Sequence, residues 1–261
     1  MLSLDLLKLL VRENGWRWTS LFLADAVMLK SVRWAPKFFQ KSMRHIEDVR
    51  GIEGINSRAV NREIWRSWDW SRKGEEWTQS TEWKDSLLRD VLEPNVPNVE
   101  CLLEIGPGAG RWTEHLQSRA GRLILVDISD ACIAQCRERF KDLDHITYAV
   151  TPGNELAVAQ DEQVDFVWSF DAFVHIGRAD TLAYLKEIRR VLRPGGAALI
   201  HHPAGGGTRG GFRSRTTLDA FNDMLRVSGL SLRKQFDRWG EDREFGVSDF
   251  EDMISIFEKP K

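Results

Sequence analysis

The chain has 261 residues, of which 42% are hydrophobic and 29% are charged. This composition is typical of a soluble globular protein, and it excludes a disordered chain, a collagen and a disulfide scaffold. Lysine and arginine number 37 against 39 acidic residues, so we expect no nucleic-acid partner, which would need a basic excess. The 3 cysteines form no CxxC pair and fit free thiols in a reducing compartment, which predicts a cytoplasmic location.

The N-terminal segment is more basic than the rest of the chain. Residues 1–45 hold eight basic and three acidic residues. Basic amphipathic stretches cover residues 2–11 and 18–32, but no run reaches the roughly 18 apolar residues of a membrane span. We therefore expect a helical lid or a dimer contact that packs on the main domain. Peripheral membrane contact through residues 1–45 stays open as the alternative, as does a homodimer.

Tryptophan is concentrated ahead of the main domain. Five of the 11 tryptophans fall close together: Trp65, Trp68, Trp70, Trp77 and Trp83. Ordinary burial explains most tryptophans, although an aromatic face also attracts cations and stacks on sugars. Residues 1–83 are predicted to form a helical, tryptophan-rich extension that caps a domain at residues 84–261. Trp77 is a candidate for direct ligand contact.

A glycine-rich turn follows a strong strand pattern. The sequence CLLEIGPGAGRWT at residues 101–113 predicts a buried strand, a turn with three alternate glycines, and the start of a helix. A second apolar strand ends in Asp127, where a carboxylate can accept two ribose hydroxyls. A dinucleotide fingerprint would require glycine at position 111, which is arginine. The carboxylate of Glu104 would also repel a pyrophosphate, whereas it suits a cationic ligand.

The remaining pattern predicts an α/β fold. Strands are expected at residues 101–105, 123–127, 146–150, 164–169, 197–201, 230–235 and 253–258. Helices are expected at residues 112–120, 130–140, 179–192 and 217–227. Asp130 and Thr217 are the predicted N-caps, and Gly229 is the predicted stop of the last helix. Seven strands that alternate with helices indicate a doubly wound, seven-stranded, mostly parallel sheet.

Four motifs in order resemble those of the class I, seven-stranded S-adenosylmethionine-dependent methyltransferases. They are EIGPGAG at residues 104–110, VDI at 126–128, VDFVWSFD at 164–171 and LRPGG at 192–196. The resemblance covers roughly residues 84–261 and implies S-adenosylmethionine as the cofactor. The candidate cofactor-binding residues are Trp77, Glu104, Gly106, Gly108, Arg111, Asp127, Ile128, Gly153, Asn154 and Ser169.

One run departs from the family pattern. After the third predicted strand, relatives often carry aspartate followed by glycine to hold the adenine amino group. This chain has proline at 152, within Thr151-Pro-Gly153-Asn154. Backbone groups or Asn154 are the expected substitutes for the missing carboxylate.

Histidines near the strand ends are the candidate catalytic groups. Methyl transfer to a hydroxyl needs a base, and histidine has a suitable pKa. His175 follows the fourth strand and should face the transferred methyl group, with Asp171 expected to orient it or to bind the acceptor. The alternative is that His175 only shapes the loop. Side chains alternate along a strand, so only one of His201 and His202 can face the site, and His202 is predicted to do so as a substrate contact.

A glycine-rich loop follows the fifth predicted strand. Residues 205–215 carry three arginines, of which Arg213 is the candidate substrate contact and Arg209 is another forked donor. Two interpretations of this loop stay open: it closes over an anionic or sugar-like acceptor, or it is a mobile surface loop. No metal is predicted, because two adjacent histidines on opposite strand faces cannot chelate one ion.

Together these features predict an S-adenosylmethionine-dependent methyltransferase that acts on an oxygen of a small-molecule or glycan acceptor. An N-methyltransferase on a small amine, which needs no strong base, is the alternative enzyme. A non-catalytic cofactor-binding assembly subunit is the alternative outside catalysis. A hydrolase is not expected, because the sequence has no G-x-S-x-G elbow.

Overall fold

The computed structural model describes residues 3–31, 37–207 and 212–261. The chain forms two compact units, Met1–Ile64 and Trp65–Lys261. This division lies ahead of the predicted boundary between residues 83 and 84. Trp83, which was expected in the extension, is packed into the second unit instead. Its ring is only 4% exposed, and its indole N–H donates to the carbonyl of Gly246 over 2.9 Å.

The first unit is helical. Helix α1 spans Leu4–Asn14, α2 spans Trp16–Ser31, α3 spans Lys37–Arg50, and α4, which begins in this unit, spans Arg58–Ser67. Gly15 ends α1 at a φ of +83°, a conformation that glycine adopts without a steric penalty. A small core joins the helices: Leu6, Leu10, Trp18, Met43 and Val60. No helix in the described part of the chain is long and apolar enough to cross a membrane.

The second unit is built on a seven-stranded sheet. The described residues of this unit form nine strands, seven of which belong to the sheet. In chain order they are β1 Val99–Ile105, β2 Ala120–Asp127, β3 Ile146–Val150, β4 Val164–Ser169, β5 Leu192–Pro203, β6 Ser231–Phe236, β7 Arg238–Trp239, β8 Phe245–Gly246 and β9 Asp252–Glu258. The sheet order is β3-β2-β1-β4-β5-β9-β6, and β7 pairs separately with β8. Only β9 runs antiparallel to its neighbours β5 and β6. The predicted doubly wound, mostly parallel sheet is confirmed.

Helices cover the sheet of the second unit. They are α5 Thr81–Leu87, α6 Glu93–Asn95, α7 Thr113–Leu116, α8 Asp130–Arg139, α9 Arg178–Val191 and α10 Leu218–Val227. Helix α7 is shorter than predicted, because a 3-10 turn at Gln117–Arg119 leads directly into β2. Alternating strand residues fill two cores: Leu102 belongs to an aromatic-rich cluster, and its neighbour Leu103 to a mainly aliphatic one.

Helix capping explains where α8 and α10 begin and end. The predicted N-cap Asp130 is wrong: the hydroxyl of Ser129 accepts from the N–H of Cys132, so Asp130 is the first helical residue. Thr217 caps α10 as predicted and accepts from the N–H of Ala220 over 3.3 Å. Gly229 follows that helix at a φ of +68°, in the left-handed conformation that commonly ends helices.

Candidate active site

The glycine turn after β1 is tightly packed. The N–H of Gly106 donates to the carbonyl of Val126 over 2.8 Å, which joins the turn to the end of β2. A Cβ added to Gly106 would lie 2.4 Å from the Cβ of Ala172, and one on Gly110 would lie 2.5 Å from the Phe140 ring. Both glycines also have positive φ. Packing and backbone conformation therefore both require glycine here.

Glu104 lies just before this turn and is buried. One of its carboxylate oxygens accepts a hydrogen bond from the hydroxyl of Thr113 over 2.6 Å. Burial raises the pKa of Glu104 to about 8, so the carboxyl is mostly protonated at neutral pH. A positively charged ligand group would favour the ionised form. The buried carboxyl therefore fits the cationic ligand predicted from the motif.

Asp127 ends β2 and connects two loops. One oxygen accepts from the N–H of Gly108 over 3.3 Å, and the other accepts from the N–H of Ser129 over 2.8 Å. Burial raises the pKa of Asp127 to about 6, although these hydrogen bonds oppose the shift. Each oxygen can still accept another donor. This position fits the ribose hydroxyls of a nucleoside, with the half-buried Ile128 as the adjoining apolar surface.

The loop after β3 lies beside Asp127. The N–H of Thr151 donates to the backbone carbonyl of Asp127 over 2.9 Å, and Gly153 follows with a φ of +99°. Gly153 is buried and Asn154 is half-buried. The contact of Gly153 and Asn154 with a nucleotide base stays a prediction.

Ser169 occupies a different environment from the one predicted. Its fully buried hydroxyl donates to the carbonyl of Ile105 over 2.8 Å and so ties the end of β4 to the end of β1. This hydrogen bond gives Ser169 a structural role, but its hydroxyl oxygen can still accept a hydrogen bond. Its contact with the cofactor stays a prediction.

Asp171, directly after β4, forms an ion pair with Arg111. Its φ of +64° is rare for a non-glycine residue and costs on the order of 1 kcal/mol. Arg111 is buried, and its guanidinium lies 4.6 Å from the centre of the Trp112 ring. Burial opposes ionisation of Asp171, but Arg111 and His201 together hold its pKa well below the usual range. Asp171 is therefore an anion at neutral pH, and it pairs with these two residues rather than with His175.

His201, and not His202, faces the site. The Nδ1 of His201 lies 3.1 Å from a carboxylate oxygen of Asp171, and its Nε2 lies 3.4 Å from one of Asp252. Burial opposes protonation of His201, yet the two carboxylates raise its pKa. His202 points to the opposite face of β5, where its ring stacks on Phe221 at 3.5 Å between centres. The prediction of His202 as a substrate contact is corrected accordingly.

His175 is buried and neutral. Its Nδ1 lies 3.1 Å from the carbonyl oxygen of Phe212, and its ring centre is 5.1 Å from that of Trp65. Burial, assisted by the positive charge of Arg213, lowers the pKa of His175 to about 4. A base with so low a pKa is poorly matched to a hydroxyl acceptor at neutral pH.

Arg213 lies at the end of the glycine-rich loop. Its Nε donates to a carboxylate oxygen of Asp252 over 2.9 Å, and its guanidinium lies 4.3 Å from the centre of the Phe250 ring. A series of close contacts thus runs through the site from Arg111 to Asp171, His201, Asp252 and Arg213. Arg209 lies outside the described residues.

Asp252 and Glu76 are site residues that the sequence reasoning missed. Asp252 is the first residue of β9, and it pairs in register with Pro203 at the carboxyl end of β5. The available signal was the antiparallel direction of the last strand, which brings its first residue to the ligand edge. Glu76 lies among the tryptophans, where one oxygen accepts from the indole N–H of Trp68 over 2.7 Å.

Four of the tryptophans lie over the glycine turn. The rings of Trp65, Trp68 and Trp70 all pack around Trp77, with ring centres 5.3 to 5.9 Å away from it. A Cβ added to Gly108 would lie 2.9 Å from the Trp70 ring. Trp70 thus places these rings against the turn, whereas Trp83, which the predicted cap included, lies in the core. The contact of Trp77 with a ligand stays a prediction. We call Trp65, Trp68, Trp70 and Trp77 the outer tryptophan cluster.

Comparisons with known proteins agree with this arrangement. Residues 102–196 match a family described as "Methyltransferase domain". A dimethylglycine N-methyltransferase of Parasynechococcus marenigrum is 28% identical over 160 residues, which are 59% of this chain and 54% of the relative. A phosphoethanolamine N-methyltransferase 1 of Triticum aestivum is also 28% identical, over 54% of this chain and 30% of the relative. The chain spans about half or less of the length of these curated relatives.

A solved structure shows the same fold. The N-methyltransferase NodS from Bradyrhizobium japonicum, in complex with S-adenosyl-L-homocysteine, aligns with a TM-score of 0.60 and 20% identity. The alignment covers 78% of this chain and 99% of NodS. The sheet order, the glycine turn, the strand-end carboxylate and these similarities agree. Residues 102–196 therefore resemble a methyltransferase domain, and the chain shares the fold of NodS, whose structure holds S-adenosyl-L-homocysteine; these similarities indicate S-adenosylmethionine as the cofactor.

Proposed function

We propose that the protein methylates the nitrogen of a small amine. The observation that carries this proposal is the burial of the candidate base His175, whose Nδ1 lies 3.1 Å from the carbonyl oxygen of Phe212 and whose ring packs on Trp65, an environment that lowers its pKa. A neutral amine attacks with its own lone pair and needs no proton removed in the transition state. The names of the relatives support the same conclusion, since dimethylglycine and phosphoethanolamine are both amines. This proposal replaces the oxygen acceptor expected from the sequence.

The residues present fit the cofactor. Bound S-adenosylmethionine supplies a methyl group that is already activated on a sulfonium. Glu104 matches the positive ammonium of its amino-acid part, and Arg111 matches the carboxylate. Asp127 would accept the ribose hydroxyls, with Ile128 against the base. These roles follow from the chemistry of the donors and acceptors at the carboxyl ends of β1 and β2.

The chain's own residues would act mainly by positioning and by charge. Alignment of the amine with the methyl group and exclusion of water remove much of the barrier. The reaction moves one positive charge from sulfur to nitrogen. The ionised Asp171 and the aromatic faces of the outer tryptophan cluster can stabilise a cation at either position. His201 would hold Asp171 in place rather than take a proton from the acceptor.

An acceptor screen tests this proposal. The purified protein is incubated with S-adenosylmethionine carrying a labelled methyl group and with glycine, sarcosine, dimethylglycine, phosphoethanolamine or a catechol. Mass spectrometry then locates the label, which we expect on nitrogen. The variant His175→Ala should lose less than about tenfold in kcat, because no base is required. Label on a catechol oxygen, together with a large loss in His175→Ala, would overturn the proposal.

The assembly-subunit alternative gives a different result in the same screen. Cofactor would bind, but no acceptor would be methylated by the protein alone. One similar structure is a Haloferax volcanii Trm112 methyltransferase activator in complex with a methyltransferase, with a TM-score of 0.59 and 21% identity. Binding of S-adenosylhomocysteine without turnover would therefore direct the search to a partner protein.

A further inference from the structure

The backbone of Asp171 is held by a histidine from the neighbouring strand β5. The N–H of Asp171, which has a φ of +64°, donates to the Nδ1 of His201 over 3.2 Å. Only an imidazole nitrogen without a proton can accept this hydrogen bond. The contact therefore requires that neutral His201 carry its proton on Nε2. It also fixes a left-handed conformation that residues other than glycine rarely adopt.

Asp252 faces the Nε2 of His201. One oxygen of the Asp252 carboxyl group lies 3.4 Å from this nitrogen, and the same oxygen accepts from the Nε of Arg213 over 2.9 Å. The guanidinium of Arg213 is always protonated, so Asp252 belongs to an ion pair, and its side chain is only 1% exposed. A carboxylate oxygen in this position favours a proton on Nε2 and disfavours a lone pair there.

Two other buried histidines show the opposite arrangement. The Nδ1 of His202 lies 2.9 Å from the carbonyl oxygen of Pro203, and the Nδ1 of His175 lies 3.1 Å from that of Phe212. A carbonyl oxygen can only accept, so both rings carry a proton on Nδ1. Burial lowers the pKa of His202 to about 3 and that of His175 to about 4, so both rings are neutral at neutral pH. The contacts of His201 therefore set it apart from both.

The side chain of Asp171 leads from this histidine to the cofactor. Its carboxylate forms the ion pair with Arg111, whose guanidinium is the proposed partner of the cofactor's own carboxylate. The backbone conformation of Asp171 sets the direction of this carboxylate. A change in that conformation would therefore move or release the guanidinium. Asp252, at the start of β9, is connected to Arg111 through His201 and Asp171.

We propose that Asp252 is a positioning residue for the cofactor. It holds the proton of His201 on Nε2, and the unprotonated Nδ1 then fixes the backbone of Asp171. This backbone directs the carboxylate that orients Arg111. The inference rests on the proposed function, in which Arg111 meets the carboxylate of the cofactor. It makes the amino-acid end of the cofactor, rather than the acceptor, the ligand group whose binding depends on β9.

Nitrogen NMR of the full-length protein, isotopically labelled in its histidine nitrogens, reads the tautomer directly. Spectra are recorded above the pH at which His201 becomes neutral, which a titration identifies, and His201→Asn assigns its signals. We expect the proton of His201 on Nε2, whereas His202 and His175 should carry theirs on Nδ1. Asp252→Asn, whose amide can donate to Nε2, should move the proton of His201 to Nδ1. A wild-type proton on Nδ1, or an unchanged tautomer in Asp252→Asn, would overturn the inference.

Calorimetry with two ligands tests the effect on the cofactor. S-adenosylhomocysteine carries the amino-acid carboxylate, whereas methylthioadenosine has the same nucleoside without it. Asp252→Asn should weaken binding of S-adenosylhomocysteine by about tenfold and leave that of methylthioadenosine within about twofold. A general loss of structure would weaken both ligands equally. Equal losses, or unchanged binding of both ligands, would overturn the inference.

Matched variants separate this role from stability. Asp165→Asn changes a largely buried carboxylate that pairs with Arg193 at the opposite edge of the sheet, and it should alter neither ligand affinity. Asp252→Glu keeps a carboxylate, so it should retain the Nε2 tautomer of His201 and most of the affinity. Thermal unfolding of each variant checks folding. If Asp252→Asn does not fold, the wild-type tautomer and the Asp252→Glu titrations still decide, and a proton on Nδ1 in either protein would contradict the assignment.

A double-mutant cycle shows whether Asp252 acts through His201. His201→Phe keeps a ring but no nitrogen, and it should weaken binding of S-adenosylhomocysteine by about tenfold. Adding Asp252→Asn to this variant should then cost less than about twofold, because the residue through which Asp252 acts is gone. Additive losses would mean that Asp252 acts by another route and would overturn the inference.

The two proposals fail in distinguishable ways, because the tautomer and the titrations involve no acceptor. If amines are methylated but Asp252→Asn changes neither tautomer nor affinity, the positioning role is wrong and the proposed function stands. If Asp252→Asn acts as expected but the label is not on nitrogen, the positioning role stands and the proposed acceptor is wrong. If the intact protein does not bind S-adenosylhomocysteine, both are overturned.

Discussion

Two tryptophan clusters in the same unit differ in almost every physical respect. The inner cluster lies in the core around Phe170, and it consists of Trp83, Trp112, Trp168 and Trp239. Its ring centres are 5.8 to 6.5 Å apart, close to the spacings in the outer cluster. Trp168 is 0% exposed, whereas Trp68 in the outer cluster is 39% exposed. Ring spacing alone therefore does not separate a core from a binding surface.

Burial makes the distinction. In the inner cluster the indole N–H of Trp239 donates to the hydroxyl of Ser86, and that of Trp83 donates to the carbonyl of Gly246, each over 2.9 Å. The indole N–H groups of Trp112 and Trp168 have no hydrogen-bond partner among the described residues. In the outer cluster the indole N–H groups of Trp68 and Trp70 donate to Glu76 and to the carbonyl of Trp65. Exposure to solvent therefore separates the two clusters, whereas hydrogen bonding of the indoles does not.

The largest expected effect separates the clusters by stability. Trp168→Ala removes a fully buried ring and should lower the free energy of unfolding by about 3–5 kcal/mol, because it leaves a cavity. Trp68→Ala, at the exposed side of the outer cluster, should cost less than about 1 kcal/mol. Urea denaturation of both variants measures the difference. Equal losses would mean that the outer cluster is also a structural core.

The next effect concerns the turn beneath the outer cluster. Asp127→Ala removes the acceptor for the Gly108 and Ser129 N–H groups and the expected ribose contact. We expect S-adenosylhomocysteine binding to weaken by about 10- to 100-fold, since each hydrogen bond to a charged group is worth about 1.5–3 kcal/mol. Calorimetry measures the change, and Asp161→Ala, at an exposed pair with Arg190, is the control. Unchanged affinity in Asp127→Ala would rule out the ribose assignment.

A smaller effect is a pH dependence of S-adenosylmethionine affinity, which arises from Glu104 in the site. The pKa of Glu104 is raised to about 8, so a cationic ligand that favours its ionised form must release a proton. S-adenosylmethionine affinity should therefore rise as pH increases from about 6 to about 8, by at most tenfold per unit. Glu104→Gln should flatten this profile. Titrations in buffers of different ionisation enthalpy would detect the released proton, and the absence of proton release would contradict the assignment.

The same raised pKa also affects stability. Without ligand, the protonated form of Glu104 is favoured in the folded state, so this contribution to stability is complete below the ordinary pKa of 4.5. It is lost as pH rises through about 8. Denaturation of the ligand-free protein over this range should therefore show a decline that Glu104→Gln lacks.

The smallest expected effect concerns an exposed tryptophan in the first unit. Trp16 is 69% exposed, and Leu4 and Val11 are exposed on α1 beside Lys8. This composition suits the surface of an anionic membrane, and peripheral contact, which the sequence left open as the alternative to a lid or dimer contact, remains a proposal. Lys8→Gln should weaken sedimentation with phosphatidylserine vesicles by about 1 kcal/mol, whereas Lys141→Gln in the second unit should not. No binding to these vesicles, or equal binding to uncharged ones, would dispose of the membrane contact.

Much of the fold could be predicted from local patterns. The apolar runs into Glu104 and Asp127 predicted parallel strands that are covered on both faces, and the structure has them as β1 and β2. Thr217 and Gly229 correctly marked the ends of α10, because capping depends on neighbouring residues only. The predicted N-cap of α8, Asp130, lies one residue after the observed N-cap, Ser129. Serine and aspartate are equally good N-caps, so the local sequence does not choose between these adjacent residues.

Contacts distant in sequence were harder to predict. The grouping of five tryptophans between residues 65 and 83 gave no sign that Trp83 joins the inner cluster. That assignment depends on Gly246, far along the chain, which accepts the indole N–H. The partners of Asp171 were likewise not predictable, because Arg111 and His201 approach it from two other strand ends.

The sequence by itself determined the class of fold and the glycine turn, because these depend on periodicity and on residues adjacent in the chain, and the resemblance of its motifs to those of methyltransferases implied the cofactor. Only the tertiary structure decided which of His201 and His202 faces the site. Because side chains alternate along a strand, the two histidines must lie on opposite faces of β5. The pairing of β5 with β4 and β9 determines which of these faces borders the site. Tertiary packing also brought Asp252 to the site, because its position depends on the pairing of β9 with β5, which is distant in sequence.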